Sequence, residues 1–231
     1  MESAIGIFET QGFTPAMVAL DSLEKAAGIR LLQLELNDML GACVKILGAP
    51  DAVQMALEAA RPIAERMGGR PTTHLIHRPD PQAWKVIESV REFNPLIQQD
   101  VVHFPQDRAE RAATTTGSAP SARSANAVSH STTQEPRMSD EVTRALGFIE
   151  TQGFTAVFDA IDTACKAADV EVVAKEKLGG GYITVVIRGD VAAVKAAIDA
   201  GSARVGSLGK LIAAHVIARP SASVLSLLPN R

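Results

Sequence analysis

Aromatic residues make up only 4% of the 231-residue chain, with one Trp and one Tyr. That scarcity argues against base-stacking platforms for single-stranded nucleic acid. Cysteine is scarcer still. Cys43 and Cys165 make no disulfide framework and lie in no metal-ligand spacing. Cationic excess is missing too: 23 Lys and Arg face 26 Asp and Glu, and the basic residues are scattered. Nucleic-acid binding, which needs a basic face, is therefore not expected. No apolar run reaches the roughly 18 residues of a membrane span. The start, Met1-Glu2-Ser3-Ala4, has no basic stretch of a secretory signal. These absences point to a cytoplasmic protein with no nucleic-acid or membrane partner.

What is present is an internal repeat at an offset of 141 residues. Glu9-Thr10-Gln11-Gly12-Phe13-Thr14 recurs as Glu150-Thr151-Gln152-Gly153-Phe154-Thr155, and Arg78-Pro79 recurs as Arg219-Pro220. The register runs without a gap from Ala4–Pro79 to Ala145–Pro220, with 26 of 76 positions identical. Chance gives roughly one in twenty, so this is a duplication. Two repeats are too few for a solenoid, so each copy is expected to be a domain with its own core. We place the first domain at residues 1–80 and the second at 141–221, with a tail at 222–231. Between them, Ala83, Trp84, Ile87 and Val90 have helical spacing, which predicts a short amphipathic helix within 81–97, limited by Pro95. Residues 98–140 include Thr114-Thr115-Thr116-Gly117-Ser118-Ala119-Pro120-Ser121 and carry few large apolar side chains. They read as a flexible linker.

The second copy gives the clearer pattern of elements. Ala145–Ile149 reads as a strand, and Thr155 as the N-cap of a helix whose apolar stripe runs through Val157, Ile161, Ala164 and Cys165. That stripe places Cys165 in the core. Val170–Lys175 and Tyr182–Arg188 read as strands joined by Lys177-Leu178-Gly179-Gly180-Gly181. Asp190 opens a second helix, and Ile212–Ile217 is the last strand. The order β-α-β-β-α-β predicts an α+β fold: two tandem ferredoxin-like domains, each an antiparallel sheet with its helices on one face.

Ala145-Leu146-Gly147-Phe148-Ile149-Glu150-Thr151, Asp162 with Lys166-Ala167-Ala168, the glycine turn, Thr184–Val191 and His215–Pro220 together resemble the bacterial microcompartment shell domain. The first copy is similar at both ends and departs in the middle, where Asp38-Met39-Leu40 replaces Gly179-Gly180-Gly181. Two fused copies resemble the non-permuted tandem shell proteins. The resemblance implies a homotrimer with six domains around a pore, a tile that meets other shell proteins at its edges and passes small metabolites. It implies pore-lining roles for Asp38, Met39, Leu40, Gly179, Gly180 and Gly181. It also implies tile-edge roles for Lys25, Lys166, Arg78 and Arg219.

No catalytic set stands out. His74 and His215 occupy equivalent strand positions and read as packing or interface residues. Glu9 and Glu150 each precede a helix, where a carboxylate can accept amide hydrogen bonds. Some tandem shell proteins hold an iron–sulfur cluster on a cysteine at the pore tip, but Cys43 lies three residues past that tip. No cofactor or metal is therefore expected. The rival to a shell tile is a regulatory or small-anion-binding trimer of the same fold; an enzyme ranks last.

Overall fold

The computed structural model describes residues 4–37, 40–105 and 144–228. The first copy consists of β1 (Ala4–Gln11), α1 (Phe13–Ala26), β2 (Arg30–Asn37), β3 (Gly41–Gly48), α2 (Pro50–Arg66) and β4 (Thr72–Ile76). After it come a single turn of helix, α3 (Trp84–Ile87), and three two-residue strands, β5 (Phe93–Asn94), β6 (Gln99–Asp100) and β7 (Val102–His103). The second copy consists of β8 (Ala145–Gln152), α4 (Phe154–Ala167), β9 (Glu171–Gly179), β10 (Tyr182–Gly189), α5 (Val191–Arg204) and β11 (Lys210–Ile217). A last short helix, α6, covers Ala222–Ser226.

Each copy is antiparallel, and the strand orders are equivalent: β4-β1-β3-β2 in the first and β11-β8-β10-β9 in the second. Side chains alternate across each sheet. Ala4, Gly6 and Phe8 of β1 point at the helices, whereas Ile5 faces the other way, toward Trp84 and Ile87. A Cβ on Gly6 would sit 2.6 Å from Val53, and one on Gly147 2.7 Å from Val194. Glycine at both positions lets a helix lie directly on its sheet.

The two copies share buried surface. On the open face of the second sheet, Leu146, Phe148 and Val186 join Phe13, Met17 and Leu20 of α1 in one core. Side chains of that size contribute about 1.5–3 kcal/mol each when fully buried.

Four features differ from expectation. Helix α4 begins two residues earlier than the Thr155 cap implies, and α1 starts at the equivalent Phe13, because Gly12 and Gly153 take the cap positions at φ 83° and 124°. That left-handed region suits glycine. The helix expected within 81–97 is one turn long. Beyond it the chain is extended, because β7 pairs with the edge strand β2, placing His103 opposite Leu34 and Val102 opposite Glu35. The linker expected from residue 98 therefore begins later, since 99–103 belong to strands; the Thr-Ser-rich stretch lies outside the described residues. The tail expected from 222 opens with α6, which buries Val224 against the core containing α1.

Candidate functional site

The boundary between the copies is organised by Glu150. Its side chain is fully buried, and its two oxygens accept hydrogen bonds from the backbone amides of Phe13 (2.9 Å) and Thr14 (2.8 Å). The amides at a helix start have no partner within the helix, and the helix dipole favours an acceptor there. Glu150 thus caps a helix of the other copy. Burial pushes its pKa up, and the Thr14 and Phe13 amides pull against that rise. Its repeat partner Glu9 is half-buried and accepts a bond from Asn37 Nδ2 at 2.7 Å.

The two helices that share a sequence origin differ in burial. Phe13 and Met17 of α1 are 3% and 0% exposed, whereas their equivalents on α4, Phe154 and Phe158, are 42% and 51% exposed. Those rings meet edge to face, with centroids 6.0 Å apart. Cys165, expected in the core, is exposed on the same helix.

The turns proposed to line a pore are neighbours. Gly12 N donates to Leu40 O (2.8 Å), and Gly153 N donates in the same way to Gly181 O (2.9 Å). A Cβ on Gly180 would lie 2.8 Å from Leu40 Cδ2, so the turns touch side by side. Gly179, Gly180 and Gly181 have φ of 85°, 53° and 80°, and Leu40 adopts 61° without being glycine. These turns border a cavity of about 560 Å³ that Leu96, Ile97 and Gln98 also line. Asp38 and Met39 lie outside the described residues.

Of the four residues assigned to a tile edge, the fold brings two together. Lys25 Nζ donates to Arg219 O at 2.5 Å and pairs with Asp21 Oδ2 at 2.6 Å. Lys166 repeats the pairing with Asp162 at 2.6 Å, and Arg78 is exposed. Within one chain, no contact joins Lys166 to Arg78 among the described residues.

Two buried polar groups, Lys45 of β3 and Glu176 of β9, find partners in the segment between the copies, too far along the chain for sequence spacing to reveal. Lys45 is buried and donates to Glu35 Oε2 (2.6 Å), to Ile87 O (2.7 Å) and to Ser89 Oγ (3.2 Å). Burial opposes ionisation of Glu35, but the bonds from Lys45 and Ser89 hold its pKa below the usual value. At the repeat position, Glu176 has no such lysine, since Val186 replaces Lys45. It accepts a bond from Gln99 Nε2 (3.2 Å) and lies 4.0 Å from His103 Nε2. Burial pushes Glu176 up to about 7 and pushes His103 down. Among the described residues no group of three or more His, Cys, Asp or Glu could hold a metal, and no helix is long and apolar enough to cross a membrane.

The geometry of a duplicated β-α-β-β-α-β unit agrees with the comparisons. The model of the BMC domain matches twice, at residues 4–79 and 145–220. The microcompartment shell protein PduA of Citrobacter freundii is 51% identical over 86 residues, which is 37% of this chain and 92% of that protein. The shell protein EutM of Escherichia coli is 47% identical over 85 residues, 37% of this chain and 88% of its own. The major carboxysome shell protein of Halothiobacillus neapolitanus is 44% identical over 94 residues, 40% of this chain and 96% of its own. A solved microcompartment protein from Desulfitobacterium hafniense covers 96% of this chain, and 97% of its own, at 22% identity and a TM-score of 0.35. Two matched domains account for most of the sequence, and the chain belongs to the BMC domain family.

Proposed function

We propose that this chain is a structural shell protein of a bacterial microcompartment, and that three copies close into a tile of six domains around a pore for small metabolites. The observation that carries the reading is the difference in burial between α1 and α4. Inside one chain, the open face of the second sheet covers α1 and caps it through Glu150. The same surface on α4 has no cover, and Phe154 and Phe158 stand exposed. The corresponding face of the first sheet, part of which Trp84 and Ile87 cover, offers Ile7 and Glu9, which repeat Phe148 and Glu150. A head-to-tail interface of this kind propagates until the rotation closes it. Glu9 would then accept the amides of Phe154 and Thr155 of the next chain. Lys166 would reach the Arg78 carbonyl as Lys25 reaches that of Arg219. The ring would bring three Leu40 turns and three glycine turns to its centre, alternating. Shell function also follows the relatives, which are microcompartment and carboxysome shell proteins.

Light scattering on the purified chain tests the ring. The expected mass is three times 24.4 kDa, about 73 kDa. Phe158→Glu puts a charge on the uncovered helix face and is expected to give folded single chains. A wild-type chain that stays at 24.4 kDa, or a variant that still forms trimers, removes the proposed interface.

A further inference from the structure

A second cavity, of about 400 Å³, lies between the copies and shares Tyr182 with the glycine-turn cavity. Four polar side chains line it: Gln11, Arg70, Tyr182 and Lys210. Among the described residues none of these four side chains has a hydrogen bond or ion pair to the protein, and no carboxylate is in the lining. Arginine and lysine can only donate, the tyrosine hydroxyl can donate, and the glutamine amide supplies two more N–H groups. Arg70 is held there by a left-handed backbone, φ 50°, in the loop that enters β4. The helix start beside the cavity is no rival for a ligand, because Glu150 already takes the Phe13 and Thr14 amides.

We propose that this cavity binds a small oxyanion of the phosphate class, inorganic phosphate or a short organic phosphate. Two full positive charges and two neutral donors facing one concave space match several oxygens of one anion. The repeat shows that the arrangement belongs to one seam only. Leu211 stands where Arg70 stands in the other copy, and Gly69 stands where Lys210 does. The equivalent seam made by a neighbouring chain would keep one arginine, with Arg70 in the place of Leu211, but would have Gly69 in the place of Lys210 and Gly41 in the place of Tyr182. The site is therefore one per chain, and because it lies within a single chain it does not depend on ring closure.

Isothermal titration calorimetry of the full chain at constant ionic strength tests this, with inorganic phosphate and glycerol 3-phosphate as probes. Saturable binding at one site per chain is expected with at least one of them. Tighter binding of glycerol 3-phosphate points to an organic phosphate, and tighter binding of inorganic phosphate to the free ion. Each of Arg70→Gln and Lys210→Gln removes a charge-assisted contact and is expected to weaken binding about tenfold. Tyr182→Phe is expected to weaken it less. The favoured probe should also raise the melting temperature of the wild type, since it binds only the folded state, and should lose that effect in the double variant. Absence of saturable binding with both probes overturns the proposal. So does unchanged affinity in a folded Arg70→Gln/Lys210→Gln chain.

Discussion

Replacing Glu150 with Ala is expected to cost about 2–4 kcal/mol, because two amides lose an acceptor at 2.8–2.9 Å in a site closed to water. The dependence on pH is the sharper test. Burial raises the Glu150 pKa above its ordinary value of 4.5, with the two amides opposing. A carboxyl whose folded pKa is raised contributes stability that is complete below the unfolded value. That contribution is lost as the pH rises through the folded value. The penalty of Glu150→Ala should therefore be largest near pH 5 and smaller at pH 8, the reverse of an ordinary carboxylate cap. Glu150→Gln does not titrate, so although its amide nitrogen cannot accept the second N–H, its stability should stay constant across that range. Urea unfolding of the three chains at pH 5, 6.5 and 8 measures this, with equal slopes as the check on two-state behaviour. A Gln variant that falls below the wild type as the pH rises would show that the ionised carboxylate is the cap and that burial does not dominate. The companion change, Glu9→Ala, should leave the unfolding of a single chain nearly unchanged and act on association alone.

Glu176→Gln should flatten the fall in stability between pH 4.5 and about 7, where the buried carboxyl resists losing its proton. A shift of that size corresponds to about 3 kcal/mol, and unfolding followed across that window would show it. Lys25→Asp with Lys166→Asp should stop tile-to-tile assembly, because acidic twins would repel across a shared edge, and should also loosen the seam where Lys25 meets the Arg219 carbonyl; electron microscopy of sheets or tubes, with light scattering on the trimer, decides it. Gly180→Leu would press a side chain against Leu40 from a backbone at φ 53° and should lower both melting temperature and single-channel conductance in a planar bilayer. Limited proteolysis should cut the Thr-Ser-rich stretch around 114–121 first and leave the two domains associated.

Much of the fold was legible because the duplication supplied each pattern twice. The strands at 145, 171, 182 and 210 follow β-branched and apolar alternation, and the 141-residue register carries them onto the first copy. The start of α4 was misplaced because a threonine cap is a common signal, whereas a glycine at positive φ can be judged only from the backbone around it. The helical spacing of Ala83, Trp84, Ile87 and Val90 was real for one turn. Past Ile87 an open sheet edge at β2 outweighed it, and that competition is invisible to periodicity. The pairing of Glu150 with Phe13 and Thr14 spans 136 residues or more, so no local motif announces it. The apolar stripe places Cys165 in a core, yet it is exposed, because a helix stripe does not say whether one chain or two must cover it.

The cover over α1 also arrives late in the life of the chain. Phe13, Met17 and Leu20 leave the ribosome with the first copy, but Leu146, Phe148 and Val186, which bury them, are made well over a hundred residues later. At roughly 5–20 residues per second that is a wait on the order of ten seconds or more. For that interval the first copy carries an uncovered apolar helix, able to recruit the wrong sheet from a neighbouring polysome. Fusion answers the hazard by tethering the right sheet to the helix, so that docking within the chain outruns association between nascent chains.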